Sequence, residues 1–478
     1  MKLGILSFPS LGHLNPMFGI ARELRGRGHD IVFFSFADIE QTVLQAGFAF
    51  VPVGISEYPL GTLRTELAQL SKLKGLSSFR LVMAQINKHA QVLMRDLPFA
   101  LTSCAIEGLI IDQVEAYGGT VADHLSLPYV AISNAVPFNR DPDVPPFFLP
   151  WSFKTGVFAR LRNELGYTFL RVICKSLVDV IKKQRKSWHL PLLQSAGRVY
   201  SPLADITQLP QCLDFPRAST PVTFHHAGPF SLDRVEDLEL FPWDRLDDRR
   251  LVYASMGTIQ NGDPVIFKLI AAACAELDVQ LVLSIGSSLK RSDLGELPGD
   301  PIVVNYAPQL HLLKRAHVLI NHGGINTVLD ALSFGVPMVL IPVTSDQPGM
   351  AARIDWSGSG IVLNHKKLTL RILKSALSTI LETPSFKTVA MKIQREMSSL
   401  NGPAFAVNII EDAMRSTIDR QPRRPHAPVP GFGETQIRTQ ETPSAAAARQ
   451  SEAEEGRLPA RIAMLSLSLH LHLPGTRS

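Results

Sequence analysis

Residues 321–347 read NHGGINTVLDALSFGVPMVLIPVTSDQ, and this stretch decides the fold. An apolar strand ends at Asn321, His322-Gly323-Gly324 makes a tight turn, and a helix opens at once. A second turn and strand, GVPMVLIP, then run on to Asp346 and Gln347. A strand feeding a helix that returns to a second strand is a parallel βαβ unit. The glycines of its first turn, Gly324 among them, let the backbone approach a bound group. The open N–H groups and the dipole of the helix N-terminus favour negative charge there, which suits a diphosphate. His322, Asn326 and Thr327 lie at the same turn. Asp330, one turn further on, offers an acceptor to a ribose, and Asp346 with Gln347 offers a carboxylate and an amide to sugar hydroxyls. Both groups stand at a strand's carboxyl end, where open α/β sheets bind ligands.

Outward from this stretch the same alternation continues. LVYASMG, QLVLSIG, PIVVNY and HVLINH read as strands separated by helices. Thr258 follows the first of these strands within reach of a phosphate. Tyr306, after a later strand, presents a flat face to a base whose edge Gln309 can read. Towards the N-terminus, KLGILSF (2–8) is a buried strand, PSLGHLNP a loop, and a helix runs over about 16–25, with Pro16 suited to its first position. IVFFSF, GLIID and PYVAIS continue a second α/β series. The sequence therefore predicts two open α/β domains, 1–230 and 231–420, with the linker within 228–249. Residues 140–151 are rich in proline and aromatics. The helical stretch 152–188 carries Phe158, Leu161, Leu165, Phe169, Leu170 and Ile173, expected mostly as core and partly as the lining of an acceptor pocket. Residues 421–478 change to Pro, Ala, Arg, Glu and Gln and are expected to be disordered.

Composition narrows the classes. The 478 residues are 45% hydrophobic and 19% charged, which is globular, and a net charge of +5 is mild for that length. The run Lys182, Lys183, Arg185, Lys186 reads as a solvated helix face or as weak contact with an anionic membrane, and no nucleic-acid motif accompanies it. Four scattered cysteines without C-x-x-C spacing give neither a zinc site nor a disulfide framework. Neither a signal peptide nor a membrane-spanning run is read, so a cytoplasmic protein is expected, peripheral contact with a membrane being left open. No carboxylate pair or D-x-D triplet is placed to hold a metal, and no cofactor is expected.

His13 and Asp112 complete the picture, both at carboxyl ends of first-half strands. A carboxylate beside an imidazole fixes its tautomer and raises its pKa, as a general base requires. His29, His124, His225 and His226 lack such a context and read as structural.

YAPQ, HGGINTVLD, GVPM, SDQ and the N-terminal GHLNP together resemble the family-1 glycosyltransferases over about residues 1–415. The resemblance implies the GT-B fold: two Rossmann-like α/β domains face across a cleft, and a C-terminal helix returns to the first. It implies His13 as general base with Asp112 its partner, Tyr306 and Gln309 at the base, and Thr258, His322, Asn326 and Thr327 along the diphosphate. It also implies Asp330 at the ribose and Asp346 and Gln347 at the sugar. Compared with the plant pattern, Tyr306 and Ile325 replace tryptophans, Thr344 another aromatic, and Asp330 a glutamate. LDFPR (213–217), NRDPDVPP (139–146) and DQPGMAARI are similar to the bacterial zeaxanthin glucosyltransferases. The expected activity is inverting, metal-independent transfer of a hexose, glucose in the first instance, from a UDP-sugar to a hydroxyl of a lipophilic acceptor such as a hydroxylated carotenoid. A sterol, polyketide or flavonoid acceptor and a deoxythymidine donor remain open. A non-catalytic nucleotide-sugar-binding subunit would need neither His13 nor Asp112, and a sugar-nucleotide epimerase of the same fold does not match these motifs.

Overall fold

The computed structural model describes residues 1–63, 65–66, 75–192, 201–230, 236–257, 262–286, 288–418 and 437–439. Thr258 and nearly all of 421–478 lie outside the described residues. The first sheet contains β1 (Lys2–Leu6), β2 (Asp30–Ser35), β3 (Ala49–Pro52), β4 (Gly108–Asp112), β5 (Tyr129–Ser133), β6 (Asp205–Thr207) and β7 (Phe224–His226), in the order β3-β2-β1-β4-β5-β6-β7. The second contains β8 (Arg250–Ser255), β9 (Val279–Ser284), β10 (Ile302–Val304), β11 (Ala316–Asn321), β12 (Met338–Leu340) and β13 (Gly360–Val362), in the order β10-β9-β8-β11-β12-β13. All described pairings between these strands are parallel.

Both sheets are buried on both faces, which is why their strands read as nearly continuous apolar runs. Leu3 and Ile5 of β1 join Ile110 of β4 in one core, while Leu6 joins Leu109 and Ile111 in the core on the opposite face. In β8, Leu251 and Tyr253 face one way and Val252 and Ala254 the other. This is the period-2 alternation of a pleated strand. The helix Gly402–Ile418 follows the second sheet in sequence yet packs Ala406, Val407, Ile410 and Met414 into the first half's core, against the helix Leu11–Gly26. It is the returning helix that the resemblance implies. Beyond it, Arg438 pairs antiparallel with Phe50 of β3, each N–H donating to the other's carbonyl at 3.0 Å.

Two elements differ from expectation. The first helix starts at Leu11, so His13 lies in its first turn rather than in a loop, and Pro16 is inside the helix. The stretch 152–188 forms two helices, Val157–Ile173 and Lys175–Ser187, and the apolar stripe of the first is largely outside the core. Phe158 is 88% exposed, Leu161 58% and Leu165 64%. The buried face is instead Ala159, Asn163, Gly166, Tyr167 and Ile173. The reason is close approach: a Cβ on Gly166 would lie 2.8 Å from Pro146 and 2.9 Å from Trp151. The small side of the helix can seat on the proline-rich loop; the large apolar side cannot.

The two halves meet through apolar, ionic and backbone contacts. Val136, Leu209 and Leu213 of the first half belong to a core of the second. Asp214, in LDFPR, accepts from Arg353 Nε at 3.0 Å and Nη2 at 2.7 Å, and from Arg217 Nε at 2.7 Å. Arg353 is 1% exposed and lies 4.5 Å over the Phe215 ring. Burial raises the Asp214 carboxyl, but Arg353 and Arg217 outweigh it and hold the group at about 2. Gly349 passes so near the Phe147 carbonyl that a Cβ there would lie 2.0 Å from the oxygen.

Candidate active site

The site grows from four adjacent strand ends of the first sheet. Asp112 ends β4, Asn134 follows β5, Gln208 follows β6, and His13 stands a short turn after β1. His13 Nδ1 is 2.6 Å from Asp112 Oδ2, with both residues buried. Asn134 Nδ2 donates to the same carboxylate oxygen at 3.1 Å and to the His13 carbonyl at 3.3 Å. A carboxylate at Nδ1 keeps the proton on that nitrogen and leaves Nε2 as the lone-pair atom of the neutral ring. Burial pulls the imidazole down and Asp112 pulls it up; the carboxylate prevails, and the ring sits above its ordinary 6.5. Nearby, Glu115 is buried and accepts from the Tyr117 hydroxyl, and burial pushes its carboxyl up to about 7.

The second half supplies a turn and a helix N-terminus. Asn321, fully buried, fixes the turn: its Nδ2 donates to the Ser255 carbonyl at 2.6 Å and its Oδ1 accepts from Gly323 N–H at 2.8 Å. The His322 ring lies against two glycines, its Cε1 2.5 Å from where a Gly257 Cβ would stand and its Nε2 2.7 Å from a Gly324 Cβ. Burial pushes this ring down to about 4, so it is neutral. Its Nδ1 is shut from solvent without a hydrogen-bond partner among the described residues. The helix Ile325–Ser333 has Gly324 at its N-cap, no capping side chain and no acidic residue in its first turn. Its leading N–H groups therefore remain open to an anion.

The halves are joined at the site itself. Asn326 Nδ2 donates to the Gly12 carbonyl at 2.6 Å, and its Oδ1 accepts from Gln208 Nε2 at 2.8 Å. Gly12 is free to accept because the residue four positions on is Pro16, which has no N–H to close the helical bond. Asp346 Oδ2 accepts from Val136 N–H at 3.0 Å, and burial raises its carboxyl.

The sequence-predicted residues thus divide by what they meet. His13 and Asp112 are brought together. His322, Gly324 and Thr327 line the turn and the opening of the helix. Asn326 and Asp346, expected along the diphosphate and at the sugar, are engaged across the halves. Gln347 turns its Oε1 to the Val343 and Thr344 amides at 2.9 and 3.0 Å. Gln309 Nε2 donates to Asp330 Oδ2 at 2.6 Å, so the residues assigned to base and ribose meet each other. Tyr306 is half exposed after β10. Asn134, Gln208, Glu115 and Asn321 were not singled out from sequence. Two of them directly follow first-sheet strands, and that position is the signal that could have found them.

Residues 268–413 match the family described as erythromycin biosynthesis protein CIII-like, C-terminal domain. A zeaxanthin glucosyltransferase of Pantoea ananas is 32% identical over 85% of this chain and 94% of its own length, and one of Pseudescherichia vulneris is 27% identical over 86% and 97%. The solved glycosyltransferase of kitacinnamycin superposes with a TM-score of 0.67 at 21% identity, covering 86% of this chain and 98% of its own. With this shared GT-B fold and a similarity spanning both halves, the chain belongs to the family-1 glycosyltransferases and is a nucleotide-sugar-dependent enzyme of that family.

Proposed function

We propose that the chain transfers glucose from UDP-glucose to a hydroxyl of a lipophilic small molecule, a hydroxylated carotenoid such as zeaxanthin, with inversion at the anomeric carbon and without a metal. The observation that carries this reading is the His13–Asp112 pair, buried at strand ends of the first sheet and bridged through Gly12 and Asn326 to an uncapped helix N-terminus of the second. His13 Nε2 takes the acceptor proton as the oxygen attacks from the face opposite the leaving diphosphate. Asp112 stabilises the imidazolium that forms. The open amides at the start of the helix Ile325–Ser333 take up the charge developing on the diphosphate. The carotenoid acceptor is supported by the two zeaxanthin glucosyltransferases among the relatives.

The test is mass spectrometry of the chain incubated with UDP-glucose and zeaxanthin, with His13→Ala as control. A gain of one or two hexoses, lost by about 10²–10⁴-fold in the variant, is expected. Glucosylation unchanged in His13→Ala overturns the base, and turnover with a deoxythymidine-linked donor alone overturns the uridine donor.

A further inference from the structure

The helix Val157–Ile173 is amphipathic the wrong way round for a surface helix. Ala159, Asn163, Gly166, Tyr167 and Ile173 face the protein, and Val157, Phe158, Leu161, Leu165 and Val172 face outward, exposed by 80, 88, 58, 64 and 67%. At 3.6 residues per turn these five occupy one side. Scattered exposed apolar residues are ordinary; a continuous stripe of five on one helix marks a surface that something covers.

The charge around it says what. Residues 154–187 hold nine lysines and arginines against two acids, Glu164 and Asp179, a net of +7 where the whole chain carries +5. The rest of the chain is therefore slightly acidic. Lys175, Lys182, Lys183 and Lys186 are all exposed. An apolar helix face beside clustered lysines matches a headgroup–acyl boundary that is negatively charged. Arg160 and Arg185 are paired with Asp143 and Asp123, but the exposed lysines would still meet their own like charge on a second copy of the chain.

We propose that the outward face of the helix Val157–Ile173 is a membrane-docking surface that seats in the interface of an anionic bilayer, with the lysines of the following helix at the lipid headgroups. Its position gives the contact a use. On the inner side Asn163 Nδ2 donates to the Pro142 carbonyl at 3.0 Å and the Tyr167 hydroxyl to the Val144 carbonyl at 3.0 Å. The loop so held continues to Phe147, which meets Gly349 of the second half. A docked helix therefore sets the bilayer beside the junction of the two halves. That a lipophilic acceptor enters there rests on the function proposed above; the docking itself does not.

The experiment is co-sedimentation of the full chain with vesicles of phosphatidylcholine alone or mixed with phosphatidylglycerol, with neither donor nor acceptor present. Binding to the phosphatidylglycerol vesicles, weakened by salt, is expected. Phe158→Ser with Leu165→Ser should lower the partition coefficient at least about tenfold, since burying one large apolar side chain is itself worth on the order of tenfold. Lys182→Ser, Lys183→Ser and Lys186→Ser together should remove the preference for anionic lipid. An unchanged melting temperature shows that the fold is intact; if it drops, Leu161→Ser with Val172→Ser tests the same face. The proposal is overturned if the parent chain ignores anionic vesicles, if the apolar variants bind like the parent, or if the chain is a dimer that the same substitutions dissociate. Vesicle binding without glucosylation of zeaxanthin keeps the docking face and removes the acceptor. Glucosylation of detergent-solubilised zeaxanthin without vesicle binding removes the docking face alone.

Discussion

The two halves meet the cleft with the same secondary structure and use it differently. In the first, the polar side chains around the base bond to one another, His13 to Asp112 and Asn134 to both, while Gln208 reaches across to Asn326. In the second, they are tied elsewhere. Asn326 and Asp346 reach the first half, Gln347 turns to its own loop, and Gln309 and Asp330 hold each other. What the second half leaves open to an anion is backbone, the turn at 322–324 and the first amides of a helix. A base can thus be set by one domain alone, whereas the place of the donor relative to it depends on how the halves dock.

The largest effect should come from breaking the self-contained side. Asp112→Asn keeps the shape but removes the charge and frees the tautomer of His13. Turnover is expected to drop by about 10²–10⁴-fold, the span of general-base catalysis. The pH profile gives the sign. A base must be neutral, so activity falls as the pH drops through the His13 pKa, which Asp112 holds above 6.5. In Asp112→Asn the residual activity should therefore persist to lower pH than in the parent. An acidic limb that stays in place would assign it to another group, such as Glu115, which burial pushes up to about 7.

Next in size is the docking itself. Asp214→Ala leaves Arg353 and Arg217 buried without their carboxylate, and losing one partner of such a cluster typically costs about 3–5 kcal/mol. Urea unfolding at neutral pH should show it. Because the carboxyl is depressed from 3.8 to about 2, its contribution is present above 3.8 and is lost as the pH falls through about 2. Parent and variant should then converge in acid. A gap that stays constant down to pH 2 would mean that shape rather than charge joins the halves.

This difference between the halves also explains what could be read from sequence. The strand runs were legible because both faces of each sheet are apolar, and His13 and Asp112 because a strand end is a position that sequence pattern can locate. The partners of Asn326 were not, since Gly12 and Gln208 are 314 and 118 residues away and no local pattern encodes that distance. The helix Val157–Ile173 failed for a related reason. Periodicity finds the apolar stripe but not which side faces inward, and here Gly166, pressed on Pro146 and Trp151, reversed the answer.

The smallest effect belongs to the seam between the halves. Asn326→Ala removes two cross-cleft hydrogen bonds, each worth about 0.5–1.5 kcal/mol net. The helix N-terminus stays intact, but its distance from His13 is no longer pinned. The donor KM should rise roughly threefold to tenfold while kcat changes little, the signature of lost binding rather than lost chemistry. Pro16→Ala approaches the same seam from the other side. It restores an N–H that competes for the Gly12 carbonyl, and it should raise the donor KM in the same direction without touching Asn326. The two changes act on one bond, so the double variant should show less than the product of the single effects. Fully multiplicative effects would mean that Pro16 serves only the helix and that the Gly12 carbonyl is not what holds Asn326.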